Sequence, residues 1–97
     1  MRLVWSRLSL ADRESIFAYI EADNPAAAAH IDERIVLAAR RLLEFPDSGR
    51  PGRISGTREL VIPRTPFIAA YVAIGDTVRI LRVVHGAQIW PDEIESN

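Results

Sequence analysis

The sequence predicts an α+β fold, ordered β-α-α-β-β-β, in which a helical hairpin packs on one face of a mainly antiparallel sheet. Three observations carry that prediction. An apolar stripe of helical period runs from Ala28 to Phe45. A breaker, Asn24-Pro25, separates it from a shorter helical segment. Three runs rich in apolar and β-branched residues fill the C-terminal half, two of them joined by Gly75-Asp76.

Each element has its own signal. Arg2-Leu-Val-Trp5 reads as a short strand. Ser9 is the expected N-cap of the first helix, with Asp12 three positions on as a weak capping-box partner. That helix runs to about Asp23, with Ile16, Tyr19 and Ile20 on its apolar face. Asn24 then caps a second helix that has Pro25 as its first residue. Ala28, Ile31, Ile35, Ala38, Leu42 and Phe45 repeat at spacings of 3, 4, 3, 4 and 3, widened by Ala39 and Leu43. Asp32, Glu33, Arg40, Arg41 and Glu44 face away, and Pro46 ends the helix. So short a breaker makes the two helices an antiparallel hairpin, whose apolar face needs a sheet to cover it. Residues 47–56 read as a loop with three Gly and two Arg. Thr57–Ile62, Phe67–Ile74 and Thr77–His85 are the remaining strands. Strict alternation along the last one places Arg79, Leu81, Val83 and His85 on one face, and Val78, Ile80, Arg82 and Val84 on the other.

Length and composition narrow the function classes. Ninety-seven residues, 48% hydrophobic and 26% charged, make a single domain over 1–97 with a modest core. The absence of cysteine excludes a disulfide scaffold, a cysteine zinc site and a thiol nucleophile, and it fits a cytoplasmic protein. No apolar run is long enough to span a membrane, and charge interrupts the N-terminal segment too soon for a signal peptide. Every basic residue is Arg, so no lysine chemistry is available. The net charge of −1 lacks the basic excess of a protein that lives on nucleic acid. Charge is nevertheless segregated. Residues 11–33 carry one Arg against six acids, residues 34–64 seven Arg against three acids, and the last twelve residues three acids and no base. Such a bipolar surface suits a protein partner.

Catalytic signals are sparse. His30 sits mid-helix and reads as an exposed helix residue. No metal-ligand spacing and no phosphate-binding glycine motif is present, and no cofactor is expected. One cluster stands out. Arg58, Arg79 and His85 could share a sheet face, hold a phosphate and move a proton, as a metal-free ribonuclease needs. The competing reading makes His85 a cap on a backbone carbonyl and pairs the arginines with Glu59 or Asp76. Trp5 and Trp90 are expected in the core or a groove; an exposed Trp90 beside Pro91 would instead mark a partner surface.

Taken in order, the residues resemble the RelE/ParE superfamily of type II toxin–antitoxin toxins, and its ParE branch most closely. The resemblance rests on Trp5, on Ala11-Asp12 with Ile16, Tyr19 and Ile20, and on Asn24-Pro25 with Ala27 and Ala28. It continues through Pro46, Gly49-Arg50 and Gly52, Gly56-Thr-Arg-Glu-Leu60, Pro66-Phe-Ile68 and Tyr71. It ends with Ile80-Leu-Arg-Val83 and His85-Gly-Ala-Gln88, followed by Trp90-Pro91. RelE-like toxins cut mRNA on the ribosome with a basic cluster. Here Ile68 stands where those chains tend to carry Arg, the residues after Gly86 are not basic, and no Tyr follows Tyr71. The ParE branch implies a non-enzymatic toxin that poisons DNA gyrase. Arg13 departs from that branch, whose members commonly have Leu there.

The resemblance implies a cognate ParD-like antitoxin as partner, DNA contact only through that antitoxin, and no direct membrane contact. The antitoxin's C-terminal segment would place apolar side chains between hairpin and sheet and acidic ones against the stretch from Arg34 to Arg64. The expected antitoxin-binding residues are Trp5, Arg50, Arg53, Arg58, Tyr71, Arg79 and His85. The expected target-binding residues are Trp90, Arg13 and Arg41. A ribosome-dependent nuclease would instead act through Arg58, Arg79, Arg82 and His85. A degenerate toxin would serve only as its antitoxin's co-repressor.

Overall fold

The computed structural model describes residues 1–87. Along the chain these form β1 (Arg2–Trp5), α1 (Arg7–Glu21), α2 (Pro25–Arg41), β2 (Arg50–Pro51), β3 (Arg58–Val61), β4 (Phe67–Ile74) and β5 (Thr77–His85). The five strands make one sheet in the order β1-β5-β4-β3-β2. β1 runs parallel to β5, and every other neighbouring pair is antiparallel. The α+β architecture is the expected one, with a short strand, β2, inside the stretch read as a loop.

Helix α1 starts three residues earlier than the sequence suggests. Ser6, not Ser9, is its N-cap, and the Ser6 hydroxyl accepts from the Ser9 N–H at 3.0 Å. The chain turns there because β5 holds it: Ser6 N–H donates to the Ile80 carbonyl at 3.0 Å and its hydroxyl to the Leu81 carbonyl at 2.8 Å. Ser9, buried in the first turn, donates back to the Ser6 carbonyl. Tyr19 is 84% exposed rather than on the apolar face; Ile16 is the residue that packs against the core.

Asn24 caps α2 and Pro25 opens it, as expected, with the Asn24 side chain accepting from Ala27 N–H. Ile35, Ala38, Ala39 and Leu42 then bury against Ala69, Tyr71, Val78, Ile80 and Val83 of β4 and β5. The stripe fails at its last member: Phe45 is 53% exposed. After Arg41 the chain tightens into i→i−3 bonds, from Leu42 N–H to Ala39 O, Leu43 to Arg40 and Glu44 to Arg41. Three residues per turn instead of 3.6 rotates Phe45 out of register.

The register of β4 and β5 slips between Ala70 and Tyr71, which pair with Arg82 and Ile80, so Leu81 is an extra residue. This bulge breaks the strict alternation expected of β5. Val78, Ile80 and Val83 all face the helices. Arg79 therefore lies on the opposite face of the sheet from His85, not beside it.

Pairing of β1 with β5 ends at Trp5 and Ile80. Beyond that point the start of α1 takes over the strand edge. The Asp12 carboxylate accepts from Val83 N–H at 2.8 Å and from Arg82 Nε and Nη2 at 2.8 and 2.9 Å. Asp12 thus does a strand's work on β5 rather than capping its own helix.

Candidate functional site

The C-terminal half of α2, the segment after it, β3 and the β3–β4 turn enclose a groove of about 930 Å³. Three exposed apolar residues line it: Leu37, Phe45 and Val61, at 53%, 53% and 51% exposure. Arg34, Arg41 and Arg64 border it, and Glu44 and Asp47 lie at the end where α2 stops. Helical spacing explains the first side of the groove. Arg34, Leu37 and Arg41 are three and four residues apart, so α2 presents them as one ridge away from its buried stripe. The second side follows from strand ends. Ile62 N–H bonds across to Phe67 O, so by alternation Val61 directs its backbone outward, where β2 has already ended.

The β3–β4 turn carries an unusual backbone. Arg64 adopts φ 61°, the left-handed region that favours glycine. The turn is fastened around it by the Thr65 hydroxyl, which donates to Ile62 O and accepts from Phe67 N–H, both at 3.0 Å. Arg34 Nη1 reaches the Arg64 carbonyl at 3.5 Å, joining α2 to this turn.

The end wall of the groove is held from inside. Tyr71 is fully buried; its hydroxyl donates to Pro46 O at 2.7 Å and accepts from Gly49 N–H at 3.0 Å. Burial pushes the Tyr71 hydroxyl's pKa up, against the smaller opposing effects of the Gly49 N–H and the Arg58 charge. Gly49 has no room for a side chain, since a Cβ there would lie 2.7 Å from the Tyr71 ring. Arg58 Nη1 donates to the carbonyls of Gly49 at 2.8 Å and Asp47 at 3.3 Å. Glu59, only 4% exposed, accepts from Arg50 and from the backbone and guanidinium of Arg53. Burial alone would raise its pKa, but the hydrogen bonds from Arg53 and Arg50 prevail and hold it below the ordinary carboxylate value.

The residues singled out from sequence are dispersed. Trp5 packs on the core with the Arg13 guanidinium 4.5 Å from its ring, and Arg13 makes two 3.0 Å bonds to Asp32 of α2. Glu59 pairs with Arg50 and Arg53, and Arg58 with Asp47 at 3.8 Å. His85 meets Phe67 edge-on at 5.8 Å, and its Nδ1 accepts from Ala87 N–H. Arg58 and His85 lie on the helix side of the sheet, Arg79 and Arg82 on the other. The partners of Arg58 and His85 on β4, Tyr71 and Phe67, are four residues apart, about 13 Å. Of these, among the described residues, only Arg41 borders the groove. Trp90 lies outside the described residues. Among the described residues no three His, Cys, Asp or Glu side chains come together as a metal site, and no helix is long and apolar enough to cross a membrane.

Sequence reasoning passed over Leu37 and Val61. Leu37 carried a readable signal, being the one large apolar residue flanked by Arg34 and Arg41 on the polar side of α2. Val61 carried none, because alternation alone does not reveal that its neighbouring strand is two residues long.

Comparison with known proteins agrees with this architecture. The family model of the ParE toxin of the type II toxin–antitoxin system parDE matches residues 3–90. The chain is 48% identical over 90 residues to Y4kP of Sinorhizobium fredii, a protein named as a toxin, covering 93% of each chain. It is 32% identical over 88 residues to toxin RelE2 of Caulobacter vibrioides, covering 91% of this chain and 98% of the other. Among solved structures, a chain of the chromosomal ParDE toxin–antitoxin system from P. aeruginosa superposes with a TM-score of 0.80 at 30% identity, covering 88% of this chain and 95% of that one. A family match spanning nearly the whole chain, a shared fold and two toxin relatives lead to one conclusion: the chain belongs to the ParE toxin family of type II toxin–antitoxin systems.

Proposed function

We propose that this toxin acts in the cytoplasm by binding and poisoning DNA gyrase, and that a cognate ParD-like antitoxin silences it by filling the arginine-rimmed groove. The observation that carries the antitoxin half is the groove itself: exposed Leu37, Phe45 and Val61 framed by three arginines. Apolar anchors on an acidic segment suit that surface, and coupled folding of such a segment is a common mode of capture. Arg41, expected from sequence at the target contact, borders the same groove. A target contact there and antitoxin binding would then be mutually exclusive, which is a direct route to neutralisation.

Binding rather than RNA cleavage is supported by the dispersal of the nuclease candidates. Arg58 grips the carbonyls of the segment after α2, Arg82 holds Asp12, and Arg79 and His85 lie on opposite faces of the sheet. General acid–base chemistry needs such groups within hydrogen-bond reach of one phosphate.

The test is gyrase supercoiling of plasmid DNA with purified toxin, followed by addition of the antitoxin. The expected result is inhibition with cleaved DNA that antitoxin reverses. No effect at large toxin excess would overturn the gyrase assignment. Growth arrest on expression would then separate a ribosomal toxin from a degenerate one.

A further inference from the structure

The groove is not electrically uniform along its length. Arg34 and Arg64 stand together at one end, where the Arg34 guanidinium meets the Arg64 carbonyl. Glu44 and Asp47 stand at the other, with Arg41 three residues before Glu44 and Arg58 3.8 Å from Asp47, so the charges there largely balance. Ten residues of α2 and its extension separate Arg34 from Glu44, about 15 Å at the helical rise. The screening length at physiological salt is about 8 Å. The two ends therefore act on an occupant as separate fields and do not average into one basic patch. Between them α2 exposes Leu37 and then Arg41.

A second observation points to the same end. Arg64 occupies a left-handed backbone position at φ 61°, where glycine or asparagine is the ordinary choice. A long charged side chain kept at a strained position on the rim of a groove is placed there for what it presents.

We infer that the groove accepts the antitoxin segment in one sense only: an acidic cluster against Arg34 and Arg64, apolar anchors over Leu37 and Phe45, and a non-acidic end beside Glu44. This rests on the reading of the groove as the antitoxin site. The polarity supplies discrimination as well as attraction. A segment acidic along its whole length gains nothing at the Glu44 end, where Arg41 and Arg58 already face Glu44 and Asp47, and one with its acids at the wrong end leaves Arg34 and Arg64 unanswered.

The experiment measures affinity of folded toxin variants for purified cognate antitoxin by calorimetry at several salt concentrations, with thermal melting of each variant. Arg34→Glu with Arg64→Glu is expected to weaken binding at least 100-fold at physiological salt and to flatten the salt dependence. Arg64→Gly is expected to weaken binding about tenfold without lowering the melting temperature, which a merely structural role for Arg64 would not produce. Glu44→Lys is expected not to tighten binding. Tighter binding by Glu44→Lys, or unchanged binding by the double arginine variant, overturns the polarity. Leu37→Asp separates the two levels of the argument, because Leu37 is exposed and its replacement spares the core. If Leu37→Asp leaves affinity unchanged, the groove is not the antitoxin site. If it abolishes binding while the arginine variants do not, the groove stands and its polarity is wrong.

Discussion

Replacing Asp12 by alanine tests how the sheet is finished where β1 stops. In the native chain one carboxylate accepts from Arg82 Nε and Nη2 and from Val83 N–H, with both Asp12 and Arg82 side chains only 15% exposed. Removing it leaves a mostly buried guanidinium without that counter-charge and a strand N–H without its acceptor. Breaking a buried pair on one side costs about 3–5 kcal/mol. A domain of this size has about 5–15 kcal/mol in total. Asp12→Ala should therefore lower the unfolding midpoint by about 15–30 °C and bring the protein close to its limit at growth temperature. Urea unfolding followed by circular dichroism measures the loss directly. A double-mutant cycle with Arg82→Leu should return a coupling energy above about 1 kcal/mol. A cost below 1 kcal/mol for Asp12→Ala, or additivity in the cycle, would refute the reasoning, since water would then be replacing the carboxylate at no penalty.

Three further predictions follow from the latch behind the groove. Tyr71→Phe strips two hydrogen bonds and strands Gly49 N–H and Pro46 O, and should cost about 2–4 kcal/mol in chemical unfolding. Gly49→Ala forces a methyl to 2.7 Å from both the ring and the hydroxyl of buried Tyr71 and should cost about 1–3 kcal/mol, a loss that Tyr71→Phe relieves only in part because the ring carbon remains. Glu59 has a folded-state pKa below its ordinary value of 4.5, so its stabilising contribution is complete above that pH and fades as pH falls through the lowered value. Acid unfolding should accordingly be shallower in Glu59→Gln than in the native protein below about pH 4.5, and parallel profiles in the two would remove Glu59 from the linkage.

The elements were legible wherever local chemistry decides them. Asn24-Pro25 opens α2, Gly75-Asp76 turns β4 into β5, and those two strands have the boundaries that their composition suggests. The failures share one cause, contact between distant parts of the chain. Ser9 looks like a cap until β5 is seen holding Ser6. Asp12 looks like a capping-box residue until Arg82, seventy positions away, claims it. Arg79 and His85 look like neighbours until the extra residue Leu81 reverses the alternation. The groove was half legible. The basic stretch from Arg34 to Arg64 was visible, yet Arg50, Arg53 and Arg58 turn out to brace the segment behind the groove, leaving Arg34, Arg41 and Arg64 to border it.

The parallel pairing of β1 with β5 has a consequence in time. Arg2 pairs with Thr77, so the first strand to leave the ribosome waits for the last of the described strands before it finds its place. At about 5–20 residues per second that wait lasts several seconds. The groove is assembled from residues 34–64, a much shorter span of chain. Its two walls leave the ribosome before β5, the strand on which α2 and β1 both come to rest. On the proposed reading of the groove, the residues that would meet a silencing partner are therefore all synthesised before the sheet that seats them is complete.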